Sequence, residues 1–381
     1  MFKWIQGGLS AVAGTAEPEY GPDAIHPITS RIKKGENSQY HRSTTAKDFE
    51  WLSPNYTNVE TQTFYFTDLA TKNIGFAQII HSNVMGVHTT AQFTFRLYNI
   101  SDPSVNIWTS TKLENFKIEK SNFYADNLKL ELIDNKKYIL KSYVNMDSIV
   151  EFEMERNTDG IIFGDDGMTF YGDNKDEPWG SMRHLFWPRC NINGKIITKQ
   201  YGEIKILNGL TMFVMALQGM KPHHAAKSWN FLNFQSSNYS AIQMEFTTPK
   251  SYNTTKVNIG IIIEDDKILV ATINNDVIHI DSKHDSVGWP VPKAIQFKYI
   301  DPETKNDLAI VSGDLKNLVE RVDVMAEIPQ FVKNIVSGVA GAKPYIYQYA
   351  NEFEIEILNS NEEIKKEEKG IGYTEVTFIS E

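Results

Sequence analysis

Cysteine is nearly absent from this sequence. One residue, Cys190, in a chain of 381 excludes an internal disulfide, a Cys-x-x-Cys redox pair and any cysteine-based zinc site. A lone thiol also suits a reducing compartment. Long apolar runs are missing too. The best stretches, residues 259–263 and 210–217, fall well short of the roughly 18 apolar residues that a membrane-crossing helix needs. Positive charge is in deficit, with 38 Lys and Arg against 48 Asp and Glu and a net charge of −10. A general nucleic-acid binder needs the opposite balance. No Gly-x-Ser-x-Gly, Walker-type or Gly-x-Gly-x-x-Gly motif is present, and Gly7-Gly8 has no phosphate-loop context. His223 and His224 are adjacent, diverge in a strand and have no carboxylate at ligand spacing. The acidic run Asp165, Asp166, Asp173, Asp176 and Glu177 lacks a calcium-loop pattern and reads as solvated. No metal and no cofactor are expected.

Aromatic residues are plentiful instead: 21 Phe, 17 Tyr and 7 Trp, or 12% of the chain. These are strand-favouring types with large apolar bodies. After residue 58 the pattern is β almost throughout. Leu128, Leu130 and Leu132 alternate with Lys129 and Glu131, and Asp134-Asn135-Lys136 then turns the chain into 138–143, a hairpin signature. A second strand series begins near Trp229, with turns at Glu264-Asp265-Asp266 and Asn274-Asn275-Asp276. One amphipathic helix is expected at 328–340, where Ile328, Phe331, Val332, Ile335, Val336 and Val339 form a stripe. Residues 359–370 read as a charged loop. The fold class is mostly β, as two tandem lipocalin-like barrels. The expected divisions are an amphipathic helix at 1–18, an irregular linker or cover at 19–55, and barrels at 56–218 and 219–381.

The first residues carry their own signal. Phe2, Ile5, Leu9 and Val12 recur at steps of three and four and share one helical face, with Trp4 beside it. Gln6, Gly7, Gly8 and Ser10 interrupt what a signal peptide would keep apolar. A short helix lying in a membrane interface fits this nearly uncharged pattern. Half-burying five such side chains gives on the order of 5 kcal/mol before ordering costs. The contact would be weak and reversible.

Longer motifs carry a resemblance. Residues Thr57-Asn58-Val59-Glu60-Thr61-Gln62-Thr63-Phe64-Tyr65-Phe66-Thr67-Asp68, then Gly75-Phe76-Ala77-Gln78-Ile79-Ile80-His81-Ser82-Asn83 and Val87-His88-Thr89-Thr90-Ala91-Gln92-Phe93-Thr94-Phe95-Arg96, resemble the fungal survival factor one family. The opening Lys3-Trp4-Ile5-Gln6-Gly7-Gly8 and Ala16-Glu17-Pro18-Glu19-Tyr20-Gly21 extend the likeness over essentially the whole chain. The resemblance implies tandem lipocalin-like domains, an N-terminal membrane-docking helix aided by acetylation, and ceramide binding. It also implies non-vesicular ceramide movement between endoplasmic reticulum and Golgi, and a role in survival under oxidative stress. The expected molecule is a cytoplasmic monomer, peripheral to those membranes, with ceramide or a related sphingolipid as partner.

The residues themselves offer three candidate groups. His81 and His88 stand on consecutive strands, and His88, Thr90, Gln92, Thr94 and Arg96 share one strand face. That row either lines a polar end of a lipid cavity or faces solvent. Arg183-His184 and Trp187-Pro188-Arg189-Cys190 form either a pocket wall or an inter-domain joint. Met212, Met215 and Met220 are either adaptable lipid lining or core filler. An enzyme acting on a long apolar substrate is the alternative function. It needs a carboxylic acid kept protonated in an apolar cavity, and no isolated Asp or Glu in an apolar run stands out.

Overall fold

The computed structural model describes residues 21–32, 40–52, 58–84, 88–220, 222–327 and 343–380. The expected helices at 1–18 and 328–340 lie outside the described residues.

Among the described residues the first sheet contains fifteen strands. They are β1 (Ile25–His26), β2 (His41–Ser43), β3 (Asn58–Asp68), β4 (Asn73–Val84), β5 (His88–Asn99), β6 (Asn106–Lys112), β7 (Lys117–Glu119), β8 (Asn122–Ala125), β9 (Leu128–Ile133), β10 (Lys137–Ser142), β11 (Ile149–Arg156), β12 (Ile161–Phe163), β13 (Met168–Tyr171), β14 (Gly180–Thr198) and β15 (Gly202–Gln218). Its main order is β6-β5-β4-β3-β15-β14-β11-β10-β9-β8-β7. The second sheet follows with β16 (Ser228–Gln235), β17 (Tyr239–Thr247), β18 (Lys256–Glu264), β19 (Lys267–Ile273), β20 (Asp276–Ile280), β23 (Ala294–Ile300), β24 (Asp307–Asp314), β25 (Leu318–Asp323), β26 (Tyr345–Leu358) and β27 (Ile364–Phe378). Between β20 and β23, β21 (Lys283–His284) and β22 (Pro290–Val291) pair only with each other. The second order is β19-β18-β17-β16-β27-β26-β24-β23-β20, with β25 beside β26.

The two sheets share one plan. Each starts with a four-strand meander and ends in a long hairpin whose last strand returns to the first, β15 on β3 and β27 on β16. Each curls into a half-barrel. The expected closed barrels are corrected in this respect: β6 and β7, and likewise β19 and β20, are end strands not hydrogen-bonded to each other. Local turn chemistry sets the hairpins. Asp134 and Asn135 take φ 50° and 51°, the left-handed central pair of the turn that Lys136 N–H closes on the Ile133 carbonyl.

Strand alternation decides what fills each half-barrel. Phe64, Phe66, Phe93, Phe95, Tyr138, Trp187 and Phe213 point into the first. Phe64 stacks on Phe213 with centroids 4.6 Å apart, and Phe49 meets the Trp187 ring edge-on at 5.4 Å. Phe49 and Trp51 come from the segment read as a linker or cover, so residues 40–52 build the first core. Leu232, Phe234, Phe297, Tyr299, Tyr347 and Phe353 fill the second. The aromatic surplus therefore packs largely on itself. A third cluster lies between the sheets, formed by Tyr65, Phe76, Met182, Phe186 and Met212 of one and Phe231, Ile242, Met244, Ile259 and Tyr373 of the other.

One expectation about the chain's end is overturned. Residues 364–370 are not loop; they extend β27, pairing Glu354 with Lys369 and Ile357 with Lys366. Their charges belong to a solvent-facing hairpin arm, a setting in which strands tolerate polar side chains on both faces.

Arg189 ties the two halves. It is buried, and its guanidinium donates to the Ser236 carbonyl (3.2 Å), the Ser237 carbonyl (2.6 Å) and Ser240 Oγ (2.8 Å) at the β16–β17 turn. Replacing Arg189 by Met keeps the stem and strands these acceptors. The expected loss is about 2–4 kcal/mol, read as a lower urea midpoint followed by tryptophan fluorescence. An unchanged midpoint would contradict the joint.

Candidate functional site

The sequence groups His81 with the row from His88 to Arg96, and the structure separates them. His81 is paired across the ladder with Ala91, so it shares the inward face of β5. There it packs against Trp51 (5.1 Å) and Phe116 (6.1 Å) at the mouth of the first half-barrel. Burial lowers its pKa. His81, Thr89, Thr90, Lys112, Glu114 and Phe116 border a cavity of about 430 Å³ at that mouth. Gln92 is half-buried on the outer face, and His88 lies on β5 with its side chain outside the described set.

Arg96 is at the far end of that row and does not face solvent or a barrel cavity. It is 1% exposed and reaches the second sheet. One Nη donates to the Val319 carbonyl at 2.7 Å and the other pairs with Glu320 at 3.2 Å. The Trp108 ring lies 5.3 Å from its guanidinium carbon. Arg96 is thus a cross-domain joint.

The run from Arg183 to Cys190 splits by alternation. His184 faces outward and Trp187 inward, into the aromatic core of the first half-barrel. A register irregularity between Trp187 and Cys190 accommodates Pro188. Cys190 is buried, and burial pushes its thiol far up. Met212 and Met215 diverge in the same way: Met212 sits between the sheets, Met215 inside the first core.

What the structure does assemble is a cleft between the two sheets. His184, Met182, Ala216, Leu217, Val59 and Thr61 of the first sheet face Trp229 of the second across about 330 Å³. Trp229 stacks on Phe246 at 5.4 Å and meets His184 edge-on at 5.4 Å. Burial brings His184 down to about 3, so the imidazole is neutral. The walls are mostly apolar, with His184, Thr61 and Gln218 as polar points, the usual make-up of a small-molecule site.

Farther along the same face stands Glu375, which the sequence reading missed. It lies on β27 between Phe231 of β16 and Gln348 of β26. Gln348 Nε2 donates to its carboxyl at 3.0 Å. Burial pushes this acid up to about 7. Tyr373 on the same strand and Tyr65 from β3 stand ring to ring at 5.3 Å, and burial together with the Glu375 charge raises both phenols. A signal was available: Glu375 is the single acid in the otherwise uncharged run 370–379, on the same alternation as Ile371 and Tyr373. A second raised acid, Glu245, lies inside the other half-barrel, held by Asn230 (3.2 Å) and Asn258 (2.9 Å).

Residues 2–380 match the Svf1 family model. The ceramide-binding protein SVF1 of Candida albicans is 72% identical, and that of Debaryomyces hansenii 60%, each over the full length of both chains. The corresponding protein of Emericella nidulans is 44% identical over 99% of this chain and 100% of its own. Among solved structures, a putative AttH from Nitrosomonas europaea aligns with TM-score 0.57 at 10% identity, covering 89% of this chain and 98% of its own. Kievitone hydratase from Nectria haematococca aligns with TM-score 0.55 at 13% identity, covering 95% and 98%. These two likenesses concern the fold alone.

Glu375 makes stability depend on pH. Its folded value, about 7, lies above the 4.5 of an unperturbed Glu. The folded state therefore holds the proton more tightly. The group's stabilising contribution is complete below about 4.5 and is lost as pH rises through about 7, by on the order of 3 kcal/mol. Glu375→Gln should flatten that decline in urea titrations from pH 5 to 8. An unchanged slope would mean that Glu375 is ionised in the folded protein throughout.

Proposed function

Since the chain belongs to the Svf1 family, we propose that it binds ceramide in the cleft between its two sheets and carries it between endoplasmic reticulum and Golgi membranes. One observation carries this reading. Both half-barrel interiors are filled by their own aromatic side chains, and the cavity at the first mouth is bordered by His81, Thr89, Thr90, Lys112 and Glu114, whereas the cleft at Trp229 and His184 is open and apolar-walled. The relatives' name, ceramide-binding protein, supports the ligand class. A carrier needs shelter for acyl chains and weak enough holding to release them, and a preformed apolar groove supplies both. It needs no chemistry, so the protein is a binding protein rather than an enzyme. Phe2, Trp4, Ile5, Leu9 and Val12 would dock the carrier on either membrane, and steady supply of ceramide to the Golgi would support survival under oxidative stress.

The cleft can be closed without touching either core. Ala216→Trp puts a large ring where the half-buried Ala216 lines it. Lipids co-purified with the full chain are identified by mass spectrometry. The wild type should carry ceramide, and the Ala216→Trp variant at least tenfold less with an unchanged melting temperature. Equal ceramide in both would rule out the cleft, and no sphingolipid in the wild type would rule out the function. Deleting residues 2–15 should abolish vesicle flotation while sparing ceramide content. Flotation that survives the deletion would remove the docking helix from the account.

A further inference from the structure

The surroundings of Glu375 are unusual for an ionisable group. It stands in the seam between the sheets beside Phe231, Tyr65 and Tyr373, and part of its surface stays open while its neighbours are buried. Among the described residues, no Lys, Arg or His forms an ion pair with it. Arg96, across the seam, is engaged by Glu320 and the Val319 carbonyl. His184 lies in the cleft on β14, and no charged side chain of β16 or β26 shares this face beside it: Phe231 and Gln348 are its direct neighbours. Three polar atoms here are buried without a partner among the described residues, Gln348 Oε1, Tyr373 Oη and Arg96 Nε. Buried polar atoms left unpaired are costly and call for an occupant.

We infer that Glu375 and Gln348 form the head-group site of the cleft and recognise a secondary amide. Glu375, as an uncharged acid, donates to the amide carbonyl, and Gln348 Oε1 accepts from the amide N–H. This rests on the cleft being the lipid site. The donor and acceptor pattern matches an N-acyl lipid bearing hydroxyls, which Tyr65 and Tyr373 can also meet. It disfavours a phosphate or a fatty-acid carboxylate, for which the described residues of the seam hold no unengaged cation. A free sphingoid base, with its ammonium, fits only the ionised carboxylate. The two lipids therefore have opposite pH preferences.

The test uses the full chain and vesicles containing either C16-ceramide or sphingosine, with protein-bound lipid quantified by mass spectrometry from pH 5.5 to 8.5. Wild-type ceramide uptake should fall about tenfold for each pH unit above 7, following the protonated fraction. Sphingosine uptake should rise over the same range. Glu375→Gln, a permanent neutral mimic, should bind ceramide evenly at every pH and lose the sphingosine rise, which also controls for titration of the lipids themselves. Glu375→Ala should bind ceramide at least tenfold less than Glu375→Gln. Ceramide uptake by Glu375→Gln that tracks the wild-type pH profile, or equal uptake by the Gln and Ala variants, would overturn the head-group assignment while leaving the lipid cleft intact. Absence of ceramide from every protein at every pH would sink both.

Discussion

The contact between the two sheets is what the rest of the molecule depends on. Each half-barrel turns an apolar outer face, not a solvated one, toward the other. Tyr65 meets Phe231 at 5.2 Å and Tyr373 at 5.3 Å, and Phe76 closes on Tyr373 at 6.3 Å. Such ring contacts add to the area term by edge and offset geometry. The sheets are consequently buried on both faces over these strands, and the strands read as near-continuous apolar runs rather than alternating ones. Arg96 and Arg189 anchor the seam at separate points, each a buried cation bonded to the opposite domain. Where the two outer faces diverge, a cleft remains.

That arrangement limits where a ligand fits. A half-barrel of this size can hold a small apolar molecule only if its interior is left vacant. Here Phe49, Phe64, Tyr138, Trp187 and Phe213 occupy the first interior as one aromatic cluster. At the ends of both half-barrels the inward rows turn polar, with Glu60, Gln62 and His81 in one and Asn230, Gln243 and Glu245 in the other. These ends are internally bonded in part, as in Gln62 Nε2 to the Phe49 carbonyl and Asn258 to Glu245. The seam between the sheets is where an apolar-walled cleft and an acid without an ion pair share one face.

Much of the fold was legible in local patterning. The Leu128–Leu132 alternation and the Asp134-Asn135 turn gave the right hairpin, and the two strand series correspond to the two sheets. The resemblance at residues 57–96 led to the right family. Three things were not legible, each for a physical reason. Alternation tells which residues share a face but not which face is inward, so His81 was grouped with Arg96 although they lie on opposite sides of the sheet. A tertiary contact over 224 positions, Arg96 to Glu320, leaves no trace in local sequence. The charged stretch at 364–370 mimics loop composition, because a hairpin arm projecting into water needs no apolar face. Glu375 escaped for the opposite reason: it is one acid in an apolar strand, and its meaning depends on what the other domain places opposite it.

On the proposed function, lipid lies between the sheets and not within them. A photoreactive, long-chain ceramide carrying a diazirine on its acyl chain tests this directly, with cross-linked peptides mapped by mass spectrometry. Labels are expected on the cleft-facing strands, around residues 59–61, 214–217 and 228–231. Labels confined to inward residues such as Phe93, Phe152 or Phe297, with none on those strands, would contradict it.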